Sequence, residues 1–281
     1  MKSFFTPLIL VFFLATSCSP VHSYALDNIP KNGILGADIS VYQGNFNFKK
    51  AKESGIKFVM LRAGYGQEPY PGEKNRHGKF IDQVDKQFYN NLLNAKEANM
   101  PIGAYHYTYA NSPEKAKLEA EYLIKILECS NIQSCKTILN SQKVKTKIGS
   151  PVQFEFPIAI DVEDPSLTKI GKDKLTKSIA IMCKILKEHG YYTIIYTGKY
   201  FSEKYLDLSK IDYDDLWLAL YPKDVTNRDY SDRAGMWQFC SNASGSKYGA
   251  QSKYIDLNVC YKDYIDIIVK RGGNPIKSYY T

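Results

Sequence analysis

The sequence lacks the residue patterns of several common cofactor and metal proteins. No Gly-x-Gly-x-x-Gly motif follows its first predicted strand, where SVYQGN contains a single glycine, and this argues against a dinucleotide site. No two cysteines form a Cys-x-x-Cys pair, and His77, His106 and His189 do not have the spacing of metal ligands. We therefore expect no metal and no organic cofactor.

Long hydrophobic runs are also missing, except near the N-terminus. The apolar segment at 4–15 follows a lysine and precedes small residues. It is too short to span a bilayer comfortably, and its pattern is typical of a signal peptide cleaved after Ser23 or Ala25. Lipid attachment to Cys18 is the alternative. We predict a signal peptide at 1–23 and a mature chain that is secreted, vesicular or lysosomal and does not enter the membrane.

Cysteines are few, and five of them follow the predicted signal peptide. In an oxidising compartment, proximity in the sequence pairs Cys129 with Cys135 and Cys240 with Cys260. Cys183 lies in the apolar stretch SIAIMCKIL. We predict that it is a buried free thiol.

Charge and aromatic content narrow the choice of partners. The formal charge is +8, but the basic residues are scattered along the chain, so a nucleic-acid partner is not expected. A basic protein would be drawn to anionic polymers such as bacterial wall. The 23 tyrosines suit sugar or peptide ligands, because each ring has an apolar face and a hydroxyl. A general tyrosine bias of the genome is the alternative explanation.

Strand and helix patterns alternate along residues 24–281. Five strand–helix units are predicted, with the strands ILGADIS, IKFVMLRAG, PIGAYHYTYA, FPIAIDVED and YYTIIYTG. Three strand-like runs follow without regular helices between them: DLWLALY, AGMWQFC and YIDLNVC. Eight strands are the number in a closed α/β barrel. We predict an α/β fold, an irregular TIM-like barrel that forms one catalytic domain; an open doubly wound sheet is the alternative.

The active site of such a barrel lies at the carboxyl ends of its strands. This rule brings four carboxylates and several aromatic or amide side chains to one mouth. The predicted set is Asp38, Tyr105, Tyr107, Asp161, Glu163, Tyr196, Trp217, Trp237, Gln238 and Asp256. Carboxylates surrounded by rings that can stack on sugars indicate glycoside hydrolysis.

The stretch AIDVEDPS holds the strongest candidate pair. Asp161 and Glu163 are two residues apart, so on a strand they share a face at roughly 6.5 Å. Two like charges at that distance raise one pKa, which is what a general acid needs near neutral pH. Asp164 precedes Pro165 and is predicted to belong to a turn. A solvated acidic loop is the alternative.

Eight motifs together resemble a known family. GADISVYQGNFNF, FVMLRAGYG, PIGAYHYTYA, PIAIDVED, IIYTG, LWLALY, MWQFC and YIDLNV are similar, in this order, to the strand motifs of the glycoside hydrolase family 25 lysozymes (N-acetylmuramidases). The resemblance covers residues from about 34 to 270. It implies hydrolysis of the β-1,4 bond between N-acetylmuramic acid and N-acetylglucosamine in bacterial peptidoglycan.

The resemblance also implies roles for individual residues. The catalytic set would be Asp38 of ADIS, Asp161, Glu163 as proton donor, and Asp256 of YIDLN. The groove would be lined by Tyr105, Tyr107, Tyr196, Trp217 and Gln238. Two mechanisms stay open: the substrate's own acetamido oxygen attacks with Asp161 orienting it, or Asp38 or Asp161 acts directly as nucleophile or base.

Two other functions remain possible from the sequence. A lectin-like barrel would keep the groove without catalysis, and a related N-acetylhexosaminidase or chitinase would use a similar Asp-x-Glu pair. We expect a monomer. The chain departs from the family pattern in a long, Lys-rich segment at 128–153, which either borders the groove or decorates the surface. Asn242 lies in a glycosylation sequon.

Overall fold

The computed structural model describes residues 29–68, 83–130, 132, 135 and 153–274. The predicted signal peptide lies outside the described residues, and so does most of the Lys-rich segment at 128–153. All of the predicted site residues are among the described ones, so the structure gives a position for each of them.

Eight strands close into a barrel in which each strand pairs with its neighbours in chain order. They are β1 (Ile34–Ile39), β2 (Phe58–Tyr65), β3 (Ile102–Tyr107), β4 (Ile158–Asp161), β5 (Thr193–Gly198), β6 (Asp215–Ala219), β7 (Met236–Ser244) and β8 (Tyr254–Cys260). Neighbouring strands from β1 to β7 run parallel, whereas β8 runs antiparallel to both β7 and β1. The predicted irregular TIM-like barrel is confirmed, and the open doubly wound sheet is excluded.

Helices follow the strands in the order that the sequence predicts. Among the described residues they are α1 (Phe48–Glu53), α2 (Phe88–Glu97), α3 (Pro113–Leu127), α4 (Lys172–Glu188), α5 (Lys199–Tyr205) and α6 (Tyr264–Lys270). One helix follows each of β1 to β5, while turns and irregular segments connect β6, β7 and β8. Within the described residues, no helix combines the length and the hydrophobicity that a membrane span requires.

Local signals set the ends of these helices. The Ser112 side chain accepts a hydrogen bond from the Lys115 amide, and Pro113 occupies the first helical position of α3. Gly190 follows α4 with a φ of 87°, a conformation that favours glycine. The face of α4 that packs inward carries apolar residues at helical spacing. They are Leu175, Ile179, Met182, Cys183 and Leu186.

Strand residues alternate between the barrel interior and the layer beneath the helices. On β5, Ile194 and Tyr196 belong to the interior cluster, while Ile195 belongs to the outer one. The interior is tightly filled, since a Cβ atom at Gly36 would lie 2.2 Å from the Phe58 ring. Glycine on β1 is therefore needed where Phe58 enters the barrel. Only the inward-facing residues near the mouth are left to form a site.

The cysteine predictions are correct in part. The Cys129–Cys135 disulfide is present, and Cys183 is a buried free thiol as predicted. The Cys240–Cys260 disulfide is wrong, because both thiols are free. Cys240 lies opposite Leu257 in the β7–β8 pair, three positions along β8 from Cys260, or about 10 Å. Proximity in the sequence did not reveal this register.

The sequon asparagine also takes part in the β7–β8 region. Asn242 lies within β7 and is half-buried. The Cys240 thiol donates a hydrogen bond to its Oδ1 atom, at 3.3 Å. Glycosylated asparagines usually lie in surface loops, whereas Asn242 lies within a strand and its side chain is hydrogen-bonded.

Candidate active site

A cavity of about 700 Å³ lies at the mouth of the barrel, where β1 to β6 end. It contains all nine residues of the predicted catalytic and groove sets. These are Asp38, Tyr105, Tyr107, Asp161, Glu163, Tyr196, Trp217, Gln238 and Asp256. Side chains that are up to 218 positions apart in the sequence therefore meet in one space.

Asp161 is the last residue of β4, and its carboxyl lines the cavity. Its side chain is buried, and its Oδ1 atom has no hydrogen-bond partner among the described residues. Burial raises its pKa well above the usual value, and the negative charges of Glu163 and Asp38 add to this effect. The Arg62 guanidinium acts in the opposite direction. A buried acceptor without a partner is costly, so this oxygen indicates a place where a ligand donor binds.

Glu163 lies two residues beyond Asp161, after the strand has ended. Glu163 is therefore not part of β4. The side chains of Asp161 and Glu163 nevertheless both line the cavity, while Val162 between them is buried on the other side. Glu163 keeps contact with solvent at the mouth. Desolvation in the cavity and the charge of Asp38 raise its pKa, while the Tyr196 hydroxyl lowers it. An accessible carboxyl with a raised pKa can deliver a proton to a bound ligand.

Asp38 on β1 is held by two carboxamides. Its Oδ2 atom accepts hydrogen bonds from Gln238 Nε2 at 2.9 Å and from Asn258 Nδ2 at 2.8 Å. Burial raises the pKa of Asp38, and these two bonds together with one to Asp256 oppose that rise. Donors that converge on one oxygen favour the ionised form of the carboxyl.

Each carboxamide is in turn held in one orientation. Gln238 Oε1 accepts hydrogen bonds from the Tyr196 hydroxyl, at 2.8 Å, and from the Tyr221 hydroxyl. Asn258 Oδ1 accepts a hydrogen bond from Trp217 Nε1, at 2.8 Å. Because both amide oxygens face these donors, both amide nitrogens face Asp38. Tyr196 and Trp217, whose side chains are buried, therefore orient the two amides that hold Asp38.

Asp256 is the fourth carboxyl of the cluster, and the rule that predicted it does not explain its position. That rule places site residues at the carboxyl ends of parallel strands, whereas Asp256 is the third residue of β8. It reaches the mouth because β8 runs antiparallel, which sets it directly opposite Asp38. Burial, then the charge of Asp38 and a hydrogen bond with it, raise the pKa of Asp256 to about 9. Asp256 therefore keeps its proton near neutral pH and shares it with Asp38 in a hydrogen bond.

Trp237 does not belong to the site, contrary to the prediction. Adjacent strand residues face opposite sides of a sheet, and on β7 it is Gln238 that lines the cavity. The Trp237 indole packs in the outer layer, with its ring centroid 4.7 Å from that of Tyr230, and donates to the Leu220 carbonyl at 2.7 Å. Its role is structural.

Asp164 belongs to a turn, as predicted, and also positions a groove residue. It caps the 3₁₀ helix Pro165–Lys169 by accepting from the Ser166 amide at 2.8 Å. Its other oxygen accepts a hydrogen bond from the Tyr107 hydroxyl at 3.0 Å. The carboxylate that turns away from the catalytic pair thus fixes one ring of the groove.

Sequence reasoning missed several residues that line the cavity or hold one of its carboxyls. Asn258 lies two positions after Asp256 on β8, and this spacing places both side chains on the same face. Arg62 is the only charged residue of the run FVMLRAGY, and a lone charge near a strand's carboxyl end is a usable signal. Tyr42 and Asp85 lie on connecting segments, for which strand patterns give no guide. Among the described residues, no group of three or more His, Cys, Asp or Glu side chains could hold a metal ion.

Comparison with known proteins places this geometry in a family. Residues 37–247 match the model of the family described as Glycosyl hydrolases family 25. The autolytic lysozyme of Clostridium acetobutylicum is 27% identical over 198 residues, which are 70% of this chain and 48% of that protein. The chain thus spans about half the length of this relative.

Solved structures share the fold. A family 25 glycosyl hydrolase from Bacillus anthracis is 23% identical, with a TM-score of 0.59 over 88% of this chain and 96% of that one. The modular autolysin LytC of Streptococcus pneumoniae, solved in complex with a synthetic peptidoglycan ligand, is 21% identical, with a TM-score of 0.57 over 82% of this chain and 47% of that one. The family match begins within β1, includes β2 to β7 and the residues Asp38, Asp161 and Glu163, and ends before β8. The chain belongs to glycosyl hydrolase family 25.

Proposed function

We propose that this protein is a secreted lysozyme that hydrolyses the β-1,4 bond between N-acetylmuramic acid and N-acetylglucosamine in bacterial peptidoglycan. The observation that carries the proposal is the convergence of four carboxyls, Asp38, Asp161, Glu163 and Asp256, in one cavity rimmed by aromatic rings. Family membership, the autolytic lysozyme and the peptidoglycan-bound LytC support it. The N-terminal segment with the pattern of a signal peptide supports export.

Glu163 is the proton donor of the proposed reaction. It is the most accessible of the four carboxyls, and its raised pKa keeps it protonated at higher pH than an ordinary glutamate. When the bond between the anomeric carbon and the bridging oxygen breaks, the oxygen takes the Glu163 proton and leaves as a hydroxyl. Protonation of the leaving group is the step that a glycosidase must assist.

Asp161 positions the group that replaces the leaving oxygen. Its buried Oδ1 atom, which has no partner in the described part of the chain, suits a hydrogen bond from the N–H of the substrate's acetamido group. The carbonyl oxygen of that group attacks the anomeric carbon. As the acetamido oxygen bonds to the anomeric carbon, the acetamido nitrogen gains positive charge. A carboxyl with a raised pKa binds the proton on that nitrogen strongly. Glu163, now ionised, then takes a proton from a water molecule whose oxygen attacks the same carbon and restores the acetamido group.

Asp38 is less suited to direct attack. It is buried and accepts hydrogen bonds from Gln238 and Asn258, and it shares a third with Asp256. These bonds reduce the nucleophilicity of its oxygens. Its negative charge instead raises the pKa of Glu163 and stabilises positive charge at the reacting carbon.

The first experiment compares Glu163→Gln with the parent chain on purified peptidoglycan. Loss of the proton donor is expected to lower kcat by about 10² to 10⁴-fold with little change in melting temperature. New muramic acid reducing ends in the parental digest would support the proposal, whereas glucosamine ends or no cleavage would reject it. The isosteric variant Glu203→Gln on the exposed surface of α5 is the control. Wild-type activity in Glu163→Gln would reject Glu163 as the acid.

A further inference from the structure

Tyr42 is the most exposed of the large apolar side chains in the described part of the chain. It is 73% exposed although it lines the wall of the active-site cavity. Solvation of a large ring at such a place is unfavourable, and nothing in the proposed bond cleavage uses it. Its position next to the carboxyl cluster suggests a contact with a part of the substrate that does not react.

The backbone beneath this ring is fixed. Tyr42 lies in the short 3₁₀ helix Val41–Gln43, where Ser40 and Gln43 form a reciprocal capping box. The Val41 amide donates to Asp85 Oδ2 at 3.0 Å. The turn that carries Tyr42 is thus attached to a buried carboxylate of another segment.

The ring itself rests on a buried ion pair. The Arg62 guanidinium carbon lies 4.9 Å from the centroid of the Tyr42 ring. Arg62 Nε and Nη2 each donate to Asp85 Oδ2 at 2.8 Å. Asp85 is 2% exposed and also accepts from the Gln87 amide at 2.9 Å. Arginine therefore contacts one side of the ring, and the rest of the ring is left open to solvent.

We propose that Tyr42, held by Arg62 and Asp85, is a stacking platform for a pyranose ring of the glycan strand at a position beyond the bond that is cut. The inference rests on the proposed function, because it assigns a further sugar contact to the same site. An immobilised ring loses little conformational entropy on binding, and its apolar face matches the C–H face of a sugar. The stem peptide is the competing ligand class, and the test separates the two.

The kinetic test compares Tyr42→Ala and Tyr42→Phe with the parent on long, peptide-free glycan strands. We expect KM to rise about tenfold in Tyr42→Ala, equivalent to about 1.4 kcal/mol, with kcat within twofold of the parent. Tyr42→Phe keeps the ring and should retain the parental KM. The matched control is Tyr200→Ala, since Tyr200 on α5 is 66% exposed and also lies beside a cation, Lys204.

A binding test separates this inference from the proposed function. In the Glu163→Gln background, calorimetric titration with the same peptide-free strands should show about tenfold weaker binding after Tyr42→Ala. This comparison stays informative if the parent cleaves no peptidoglycan, an outcome that would reject the proposed function alone. Unchanged binding and KM in Tyr42→Ala would overturn the platform. The platform would also be overturned if Tyr42→Ala lost affinity only for peptide-bearing strands, or if Tyr200→Ala lost as much affinity as Tyr42→Ala.

Discussion

At the scale of single residues, the site depends on how many protons four neighbouring carboxyls hold. Asp256 and Asp38 lie opposite each other on antiparallel strands, and the pKa of Asp256 is raised to about 9. Two amides donate to Asp38, so the proton that the pair shares stays mainly on Asp256. The cluster thereby carries less negative charge than four ionised carboxyls would.

This arrangement makes the stability of the fold depend on pH. In the unfolded chain Asp256 loses its proton near pH 4, and in the folded chain near pH 9. Between these values the folded state binds more protons, so stability falls as pH rises. Asp256→Asn removes this proton uptake and keeps an N–H donor for Asp38. We expect its melting temperature to exceed the parental one by several degrees at pH 8 and by less at pH 5.

Scanning calorimetry at the two pH values measures this difference. Asp232→Asn is the control, because the Asp232 side chain is 73% exposed and should change neither value. A melting-temperature difference that does not depend on pH would show that Asp256 is ionised in the folded protein at neutral pH.

At the scale of elements, the direction of β8 decides the composition of the site. YIDLNVC is recognisable as a strand, and its alternation places Ile255 and Leu257 on one face and Asp256 and Asn258 on the other. That pattern reads the same in both directions, so it does not reveal whether the strand is parallel. Pairing with β1 and β7 fixes the direction and brings Asp256 to the mouth. The same register separates Cys240 from Cys260.

The Cys129–Cys135 disulfide lies just after α3 and closes a loop with a sequence separation of six. Replacing both cysteines by serine should cost about 2 kcal/mol, chiefly by freeing the unfolded chain, and lower the melting temperature by about 5 °C. Neither residue lines the cavity, so kcat should stay within twofold of the parent. Thermal melts with and without reductant check this: the parent should respond to reductant and the double variant should not. A parental melt that is insensitive to reductant would contradict the bond.

At the scale of the whole molecule, the formal charge is +8, or +7 after removal of the predicted signal peptide with its single lysine. This positive charge favours association with anionic wall polymers. Salt shortens the range of such attraction from about 10 Å at 0.1 M to about 3 Å at 1 M. We expect KM on intact walls to rise about threefold to tenfold between 0.05 and 0.5 M NaCl, because long-range attraction is screened. On short glycan fragments, which carry few charges, KM should change much less. Equal salt dependence on both substrates would contradict a role for net charge in wall binding.

Taken by itself, the sequence determined the elements and most of the inward-facing residues. Alternation and helical spacing identify eight strands and the order of the helices, because burial requires apolar residues at those periods. The same alternation selects Asp161 and Glu163 as a pair. It would also have excluded Trp237, since neighbouring strand residues face opposite sides.

Only the tertiary structure decided which distant groups touch. Barrel closure sets the antiparallel direction of β8, the two amides on Asp38 and the Arg62 contact beneath Tyr42. It also leaves one oxygen of Asp161 without a partner among the residues that the structure describes. Closure joins segments that are far apart in the chain, and the pKa of each carboxyl depends on the charges and burial that it then meets. Local sequence patterns contain no information on those neighbours. For this physical reason a sequence can indicate a catalytic pair but does not reveal which of its carboxyls are protonated.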